Sequence, residues 1–155
     1  MSTNLLLEKQ LCFRLYSLNK LMCRLYAPVL KELALTYPQY LAMLVLWQNT
    51  GGISVKDLGN QLDLDSGTLS PLLKRMEAQG LLTRVRQATD ERIVLIILTK
   101  EGMALQQSAE HIPRKMFAVT GLTPEKLLSL NEELDQLMAN INDETLYKPV
   151  KEKKE

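Results

Sequence analysis

Long apolar runs are missing from this chain: none of its 155 residues belongs to a stretch approaching the roughly 18 consecutive apolar residues of a membrane-spanning helix. The first residues also lack the basic start and small-residue cleavage site of a secretory signal, so a soluble cytoplasmic protein with no membrane partner is expected. Cysteine is scarce. Two residues, Cys12 and Cys23, cannot staple a small secreted fold, and reduced thiols are their expected resting state. The single His, His111, reads as a helix-surface residue, and with two Cys it makes no metal-ligand spacing; neither metal nor cofactor is expected. Gly-rich phosphate loops and nucleophile elbows are absent, which argues against the enzymes that use them. Charge of one sign is lacking too. Nineteen Lys and Arg against 18 Asp and Glu leave a formal net charge of +1, so any attraction for a polyanion has to come from a local patch.

What the chain does have is helical periodicity. Leu11, Leu15, Leu18, Met22, Leu25 and Val29 alternate spacings of four and three, predicting an amphipathic helix over about 5–30. A second stripe, Cys12, Tyr16, Asn19, Cys23, Tyr26 and Leu30, lies one residue over. Two adjacent stripes offer more apolar surface than one neighbour covers, and a second copy of the chain is the economical partner.

Thr36 is placed to cap a helix from Tyr37, with Pro38 tolerated in its first turn, and Gly51-Gly52 end that helix. Ser54 caps a helix over 55–62, and Asp65 caps one over 66–79 that Gly80 closes. The period then changes from helical to alternating. Residues 82–86 and 93–98 read as strands joined by a polar hairpin over 87–92 that has no Gly to tighten it. Helical pattern resumes over about 101–117, Thr123-Pro124 opens another helix, and Leu127, Leu130, Leu134, Leu137 and Ile141 form a heptad-like seam on it. The charged tail over 148–155 reads as disordered. The expected architecture is mainly α with a small β hairpin: one domain over 1–147, a winged helix-turn-helix core over about 36–99, and dimerisation helices over about 5–30 and 101–142.

On the helix over 66–79, Leu69, Leu72, Leu73 and Met76 follow an i, i+3, i+4, i+7 pattern and face the core. The opposite side carries Ser66, Gly67, Thr68, Ser70 and Pro71, then Lys74 and Arg75. Small residues let such a helix enter a major groove about 12 Å wide, hydroxyls reach base edges or phosphates, and the two cations neutralise phosphate or read guanine. Alone, that face would read as solvated surface. Arg84, Arg86 and Arg92 on or beside the hairpin alter the reading, because a wing-tip Arg suits the negative minor groove. Asp90 is expected to orient Arg92 through a bidentate pair.

The block Leu69-Ser70-Pro71-Leu72-Leu73-Lys74-Arg75-Met76-Glu77, the Asp90-Glu91-Arg92 tip and the exit from Leu98-Thr99 to Gly102 resemble the MarR family of winged helix-turn-helix regulators. Within it, Leu11-Cys12-Phe13-x-Leu15-Tyr16 and Leu35-Thr36-Tyr37-Pro38-Gln39-Tyr40 resemble the organic-hydroperoxide-resistance branch. The resemblance implies a homodimer on a near-palindromic double-stranded DNA operator. It also implies repression that ends when the N-terminal Cys is oxidised by an organic hydroperoxide.

By that resemblance Cys12 is the sensor, and Tyr26 and Tyr37 are the hydroxyls that bond its sulfur, with Tyr16 nearby. An unperturbed thiol, with pKa about 8.5, reacts slowly at neutral pH, so a sensor must stabilise its thiolate. Cys12 and Tyr26 lie fourteen residues apart on one predicted helix, about 21 Å at 1.5 Å per residue. If they touch, the Tyr belongs to the other subunit. The two-Cys version of the branch has a resolving Cys in the helix after the wing; here that helix has none, and Phe117 stands near the matching place. A one-Cys type follows, in which a small external thiol or a backbone nitrogen traps the sulfenic acid. Three other readings stay open: a winged-helix regulator released by an aromatic or lipophilic ligand without cysteine chemistry, a peroxidase using Cys12, and a helical docking module.

Overall fold

A computed structural model describes residues 5–87 and 89–142. The tail over 148–155, read as disordered, lies outside them. After a 3-10 turn at Leu7–Lys9 come seven helices among the described residues: α1 (Leu11–Glu32), α2 (Tyr37–Gln48), α3 (Val55–Leu62), α4 (Ser66–Ala78), α5 (Lys100–Ala109), α6 (Ile112–Thr120) and α7 (Pro124–Asn142). Three strands, β1 (Ile53–Ser54), β2 (Leu82–Gln87) and β3 (Asp90–Leu98), form an antiparallel sheet in the order β1-β3-β2. Two compact units result, Met1–Met116 and Phe117–Glu155; the first holds α1 to α5 and the sheet, the second α7. No helix among the described residues is long and apolar enough to cross a membrane.

The predicted caps explain where helices begin. Gln39 Oε1 accepts the Thr36 N–H at 2.8 Å, Ser54 Oγ accepts from Asp57 N at 3.0 Å, and Asp65 Oδ1 accepts from Thr68 N at 2.9 Å. Gly80 closes α4 at φ +75°, in the left-handed region that favours glycine. The core of the first unit is built from Leu30, Met43, Leu46, Leu58, Leu69, Leu73, Met76, Leu82 and Ile96, all essentially without solvent contact.

Four boundaries differ from the sequence reading. The first helix starts at Leu11, not near residue 5, because Gln10 is extended (φ −82°, ψ 123°) and separates it from the 3-10 turn. The helix expected over 101–117 is two helices, with Glu110 and His111 in the turn between them. Pro113 accounts for the break, since its ring excludes the carbonyl four residues back and it has no N–H to continue the ladder. His111 is exposed in that turn rather than on a helix face. Strand β1 was not anticipated; it pairs Ile53 with Ile96 and Ser54 with Leu95. The wing is also tighter than a six-residue loop. Gln87 pairs with Asp90, so the strands reach further toward the tip than expected, and Arg86 pairs with Val94 across a register shift.

Gly102 holds the sheet exit against the helices. Its N–H bonds Thr99 Oγ1 at 3.0 Å, its carbonyl accepts from Trp47 Nε1 at 2.9 Å, and a Cβ there would overlap the Leu81 carbonyl. Gly102→Ala is therefore expected to cost about 1–3 kcal/mol of stability by overpacking, read as a lower urea midpoint at unchanged slope. An unchanged midpoint would show that the Leu81–Gly102 approach is not a constraint.

Candidate nucleic-acid interface and thiol site

Helix α4 turns as its sequence predicts. Leu69, Leu73 and Met76 are buried and Leu72 half-buried, while Ser66, Gly67, Thr68, Ser70, Pro71, Lys74 and Arg75 are exposed. Asp65 holds the start of the helix; its carboxyl lies below the usual range because the Thr68 N–H and hydroxyl both donate to it. That engages the Thr68 hydroxyl proton in the cap at 2.9 Å, leaving Ser66 and Ser70 as the freer hydroxyl donors of the face.

Arg84 corrects the sequence reading in a second way. Its Nε donates to Glu77 Oε2 at 2.8 Å, its terminal nitrogen pairs with the same oxygen at 2.6 Å, and its backbone N–H donates to Glu77 Oε1 at 3.1 Å. The Arg84 hydrogen bond keeps the Glu77 carboxyl below its ordinary value. Arg84 thus fastens β2 at the base of the wing to α4, with its charge neutralised. Arg86, two residues on and exposed, shares that strand face and has no ion-pair partner among the described residues. At the tip, Asp90 Oδ1 accepts the backbone N–H of Arg92 at 3.0 Å. This replaces the expected bidentate pair: the Asp90 carboxylate takes the amide, and the exposed Arg92 guanidinium has no ion-pair partner among the described residues.

Helix and wing enclose a cleft of about 1180 Å³ whose lining includes Lys56, Ser66, Ser70, Arg84 and Arg92. Lys56 was missed by sequence reasoning. It is exposed in the first turn of α3, where a cation opposes the helix dipole, and that misfit was the available signal.

The thiol site is divided. Cys12 is exposed near the start of α1, whose first two turns also expose Leu11, Phe13, Leu15, Tyr16 and Leu18. Lys20 Nζ lies 5.2 Å from the centre of the Tyr16 ring, a cation–π contact. Only near the other end of α1 do side chains enter the core, at Val29 and Leu30. There Tyr26 packs on Tyr37 with ring centroids 4.9 Å apart and on Tyr40 at 5.8 Å. Burial, first, raises the Tyr26 and Tyr37 hydroxyls above their ordinary value; the neighbouring Tyr37 adds to it for Tyr26, and the neighbouring Cys23 thiol for Tyr37. Both remain proton donors at neutral pH. Among the described residues neither has a hydrogen-bond acceptor. Because Cys12 and Tyr26 stand on one continuous helix, about 21 Å of rise separates them and a chain cannot join its own Cys12 to this pair. The thiol within reach of Tyr37 in the same chain is Cys23, half-buried beside a cleft of about 610 Å³ that both residues line.

Sequence and structure comparisons show the family of the chain. The family described as transcriptional regulator SarA/Rot matches residues 24–109. The organic hydroperoxide resistance transcriptional regulator of Bacillus subtilis (strain 168) is 47% identical over 136 residues, 88% of this chain and 92% of that protein. This chain belongs to the MarR family of winged helix-turn-helix transcriptional regulators, in its organic-hydroperoxide-resistance branch. The structure of reduced AbfR bound to DNA superposes with a TM-score of 0.72 at 34% identity, over 87% of this chain and 94% of that one. Disulfide-formed AbfR gives 0.60 at 35% identity, over 85% and 92%. The MarR-family member described here is accordingly a DNA-binding transcriptional regulator rather than an enzyme.

Proposed function

We propose that this regulator is a homodimeric repressor that leaves its operator when an organic hydroperoxide oxidises Cys12. The observation that carries the reading is the division of the thiol site: an exposed Cys12 at one end of α1, and at the other two half-buried tyrosines whose hydroxyls have no hydrogen-bond partner among the described residues. Antiparallel pairing of two α1 helices over their exposed apolar residues brings one chain's Cys12 to its partner's Tyr26 and Tyr37. Helix α7 supplies further apolar surface for dimerisation, with Leu130 and Ile141 of its seam exposed and Leu127, Leu134 and Leu137 half-buried. Relatives support both halves, since one is an organic hydroperoxide resistance regulator and another has been seen reduced on DNA and with a disulfide formed.

In the reaction, the Cys12 thiolate attacks the terminal oxygen of the hydroperoxide, the O–O bond breaks, and the departing alkoxide takes a proton to leave as alcohol. The sulfenic acid then condenses with a small thiol, forming a mixed disulfide and water. On DNA, Ser66, Ser70, Lys74 and Arg75 meet the major groove, Arg86 and Arg92 the adjacent minor groove or phosphates, and Lys56 the backbone beside α3. Thr68 helps as an acceptor, while Arg84 and Asp90 hold the wing's shape. The setting for this chemistry is the cytoplasm.

A band shift on the DNA upstream of the regulator's own gene tests the reading, with retarded complex expected for the reduced protein and free DNA after stoichiometric organic hydroperoxide. The same assay takes Lys74→Ala and Arg92→Ala, each expected to weaken binding. Lys74→Ala should also flatten the salt dependence by about 1 in log–log slope per lost phosphate contact. Unchanged affinity in both variants would refute the docking, and a hydroperoxide-insensitive complex would refute the sensor.

A further inference from the structure

Gln39 is the one buried polar side chain in the core among the described residues, at 4% exposure, and its bonds run to an unexpected place. Its Oε1 accepts from Thr36 N at 2.8 Å and Thr36 Oγ1 at 3.1 Å, and its Nε2 donates to Gln79 Oε1 at 2.9 Å, forty residues away. Gln79 is the C-cap of the reading helix α4. Its own Nε2 then donates to the Ala34 carbonyl at 3.2 Å. The two amides therefore close a ring, Thr36 to Gln39 to Gln79 to Ala34, around the turn that leads into Tyr37, the first residue of α2.

That turn is not relaxed. Leu35 N bonds Leu30 O at 3.0 Å and Ala34 N bonds Lys31 O at 3.1 Å, a helix ending that puts the earlier of these two residues in the left-handed region. Ala34 occupies it at φ 53°, where glycine would cost nothing. The other side of the ring is equally fixed. Gly80, next to Gln79, accepts from Thr99 Oγ1 at 2.6 Å, and Thr99 N bonds Leu81 O at 3.1 Å, so the end of α4 is also tied to the exit of the wing. A displacement of the Tyr37 turn has a hydrogen-bonded route of two side chains to the end of α4, and among the described residues no other side-chain hydrogen bond joins α1–α2 to α4.

We infer that Gln39 and Gln79 are positioning residues that transmit movement of the Tyr37 turn to the reading helix. The inference rests on the proposed sensor for its trigger, but the linkage itself needs no oxidation. Two bonds to buried or strained groups suffice to make turn and helix move as one body. Gln79 is exposed, so Gln79→Ala removes the link without opening the core, whereas Gln39→Met removes it from the buried side.

A double-mutant cycle decides it, measuring operator affinity of the reduced, full-length protein, with folding checked by circular dichroism. Tyr37→Ala empties the turn and is expected to weaken operator binding in the parent. In the Gln79→Ala background the same change is expected to lose most of that effect, a coupling of about fivefold or more. Additive losses, or no loss from Tyr37→Ala, would overturn the inference. A second arm uses an organic hydroperoxide: the ratio of operator affinities before and after oxidation should shrink in Gln79→Ala and Gln39→Met, while the rate of Cys12 oxidation stays at the parent value. A merely structural pair would lower the melting temperature and leave that ratio intact, which also overturns it. If the parent ignores hydroperoxide, the sensor reading fails and the reduced-state cycle still decides the linkage.

Discussion

Cys12→Ser is expected to hold its operator as tightly as the parent and to keep holding it through an excess of organic hydroperoxide that drives the parent off by about tenfold or more in affinity. Cys12 is exposed on α1 and takes no part in the core or the reading surface, so replacing sulfur by oxygen leaves fold and docking untouched. The hydroxyl is a poor nucleophile toward a peroxide, and no sulfenic acid forms. Cys23→Ser supplies the control. Cys23 is half-buried beside Tyr37, its sulfur 3.9 Å from Asn19 Oδ1, and its loss should leave the response in place when a small thiol is present. The pair also separates the sensor from a regulator released by an aromatic or lipophilic ligand, because such a ligand would still release Cys12→Ser. A Cys12→Ser protein that leaves the operator with parental sensitivity to hydroperoxide would end the cysteine mechanism.

Much of this was legible in the chain because each feature is local. Caps need a residue type within three positions of the N–H it satisfies, so Thr36, Ser54 and Asp65 announce their helices, and the apolar period of Leu69, Leu73 and Met76 orients α4 without reference to any other element. What stayed hidden depends on partners far along the sequence. Strand β1 is two residues long and exists through its pairing to β3, too short to show a period of its own. Arg84 reads as a free wing cation until Glu77 is seen to reach it across the turn from α4 to β2. Asp90 and Arg92 invite a side-chain ion pair, yet the Arg92 amide, two residues along the chain, meets the carboxylate first. Gln39 and Gln79 are forty positions apart with no pattern to connect them, and two polar residues at that distance leave no trace in periodicity. Pro113 was the readable signal that was passed over.

The thiol site is where geometry makes the strongest demand, and a heterodimer is expected to meet it. One chain carries only Cys12→Ser, the other only Tyr26→Phe. The sole Cys12 then sits on the chain whose own Tyr26 has lost its hydroxyl, and the sole intact Tyr26 sits on the chain that has lost its thiol. Both homodimers with altered tyrosine, Tyr26→Phe and Tyr37→Phe, should oxidise slowly at Cys12, because each keeps its ring in the stack at 4.9 Å but loses a hydroxyl that would bond the thiolate. Operator binding by either reduced variant should be close to the parent's, since neither ring belongs to α4 or the wing. In the heterodimer, however, the intersubunit site is whole: the thiol of one chain faces the complete tyrosine pair of the other. Its oxidation, followed by stopped-flow thiol loss under single-turnover hydroperoxide, should run near the parental rate. The rise of one continuous α1 forbids the intrachain alternative by about 21 Å. A heterodimer as slow as the Tyr26→Phe homodimer would mean that Cys12 draws its hydroxyl from elsewhere, and the crossed arrangement of two α1 helices would fall with it.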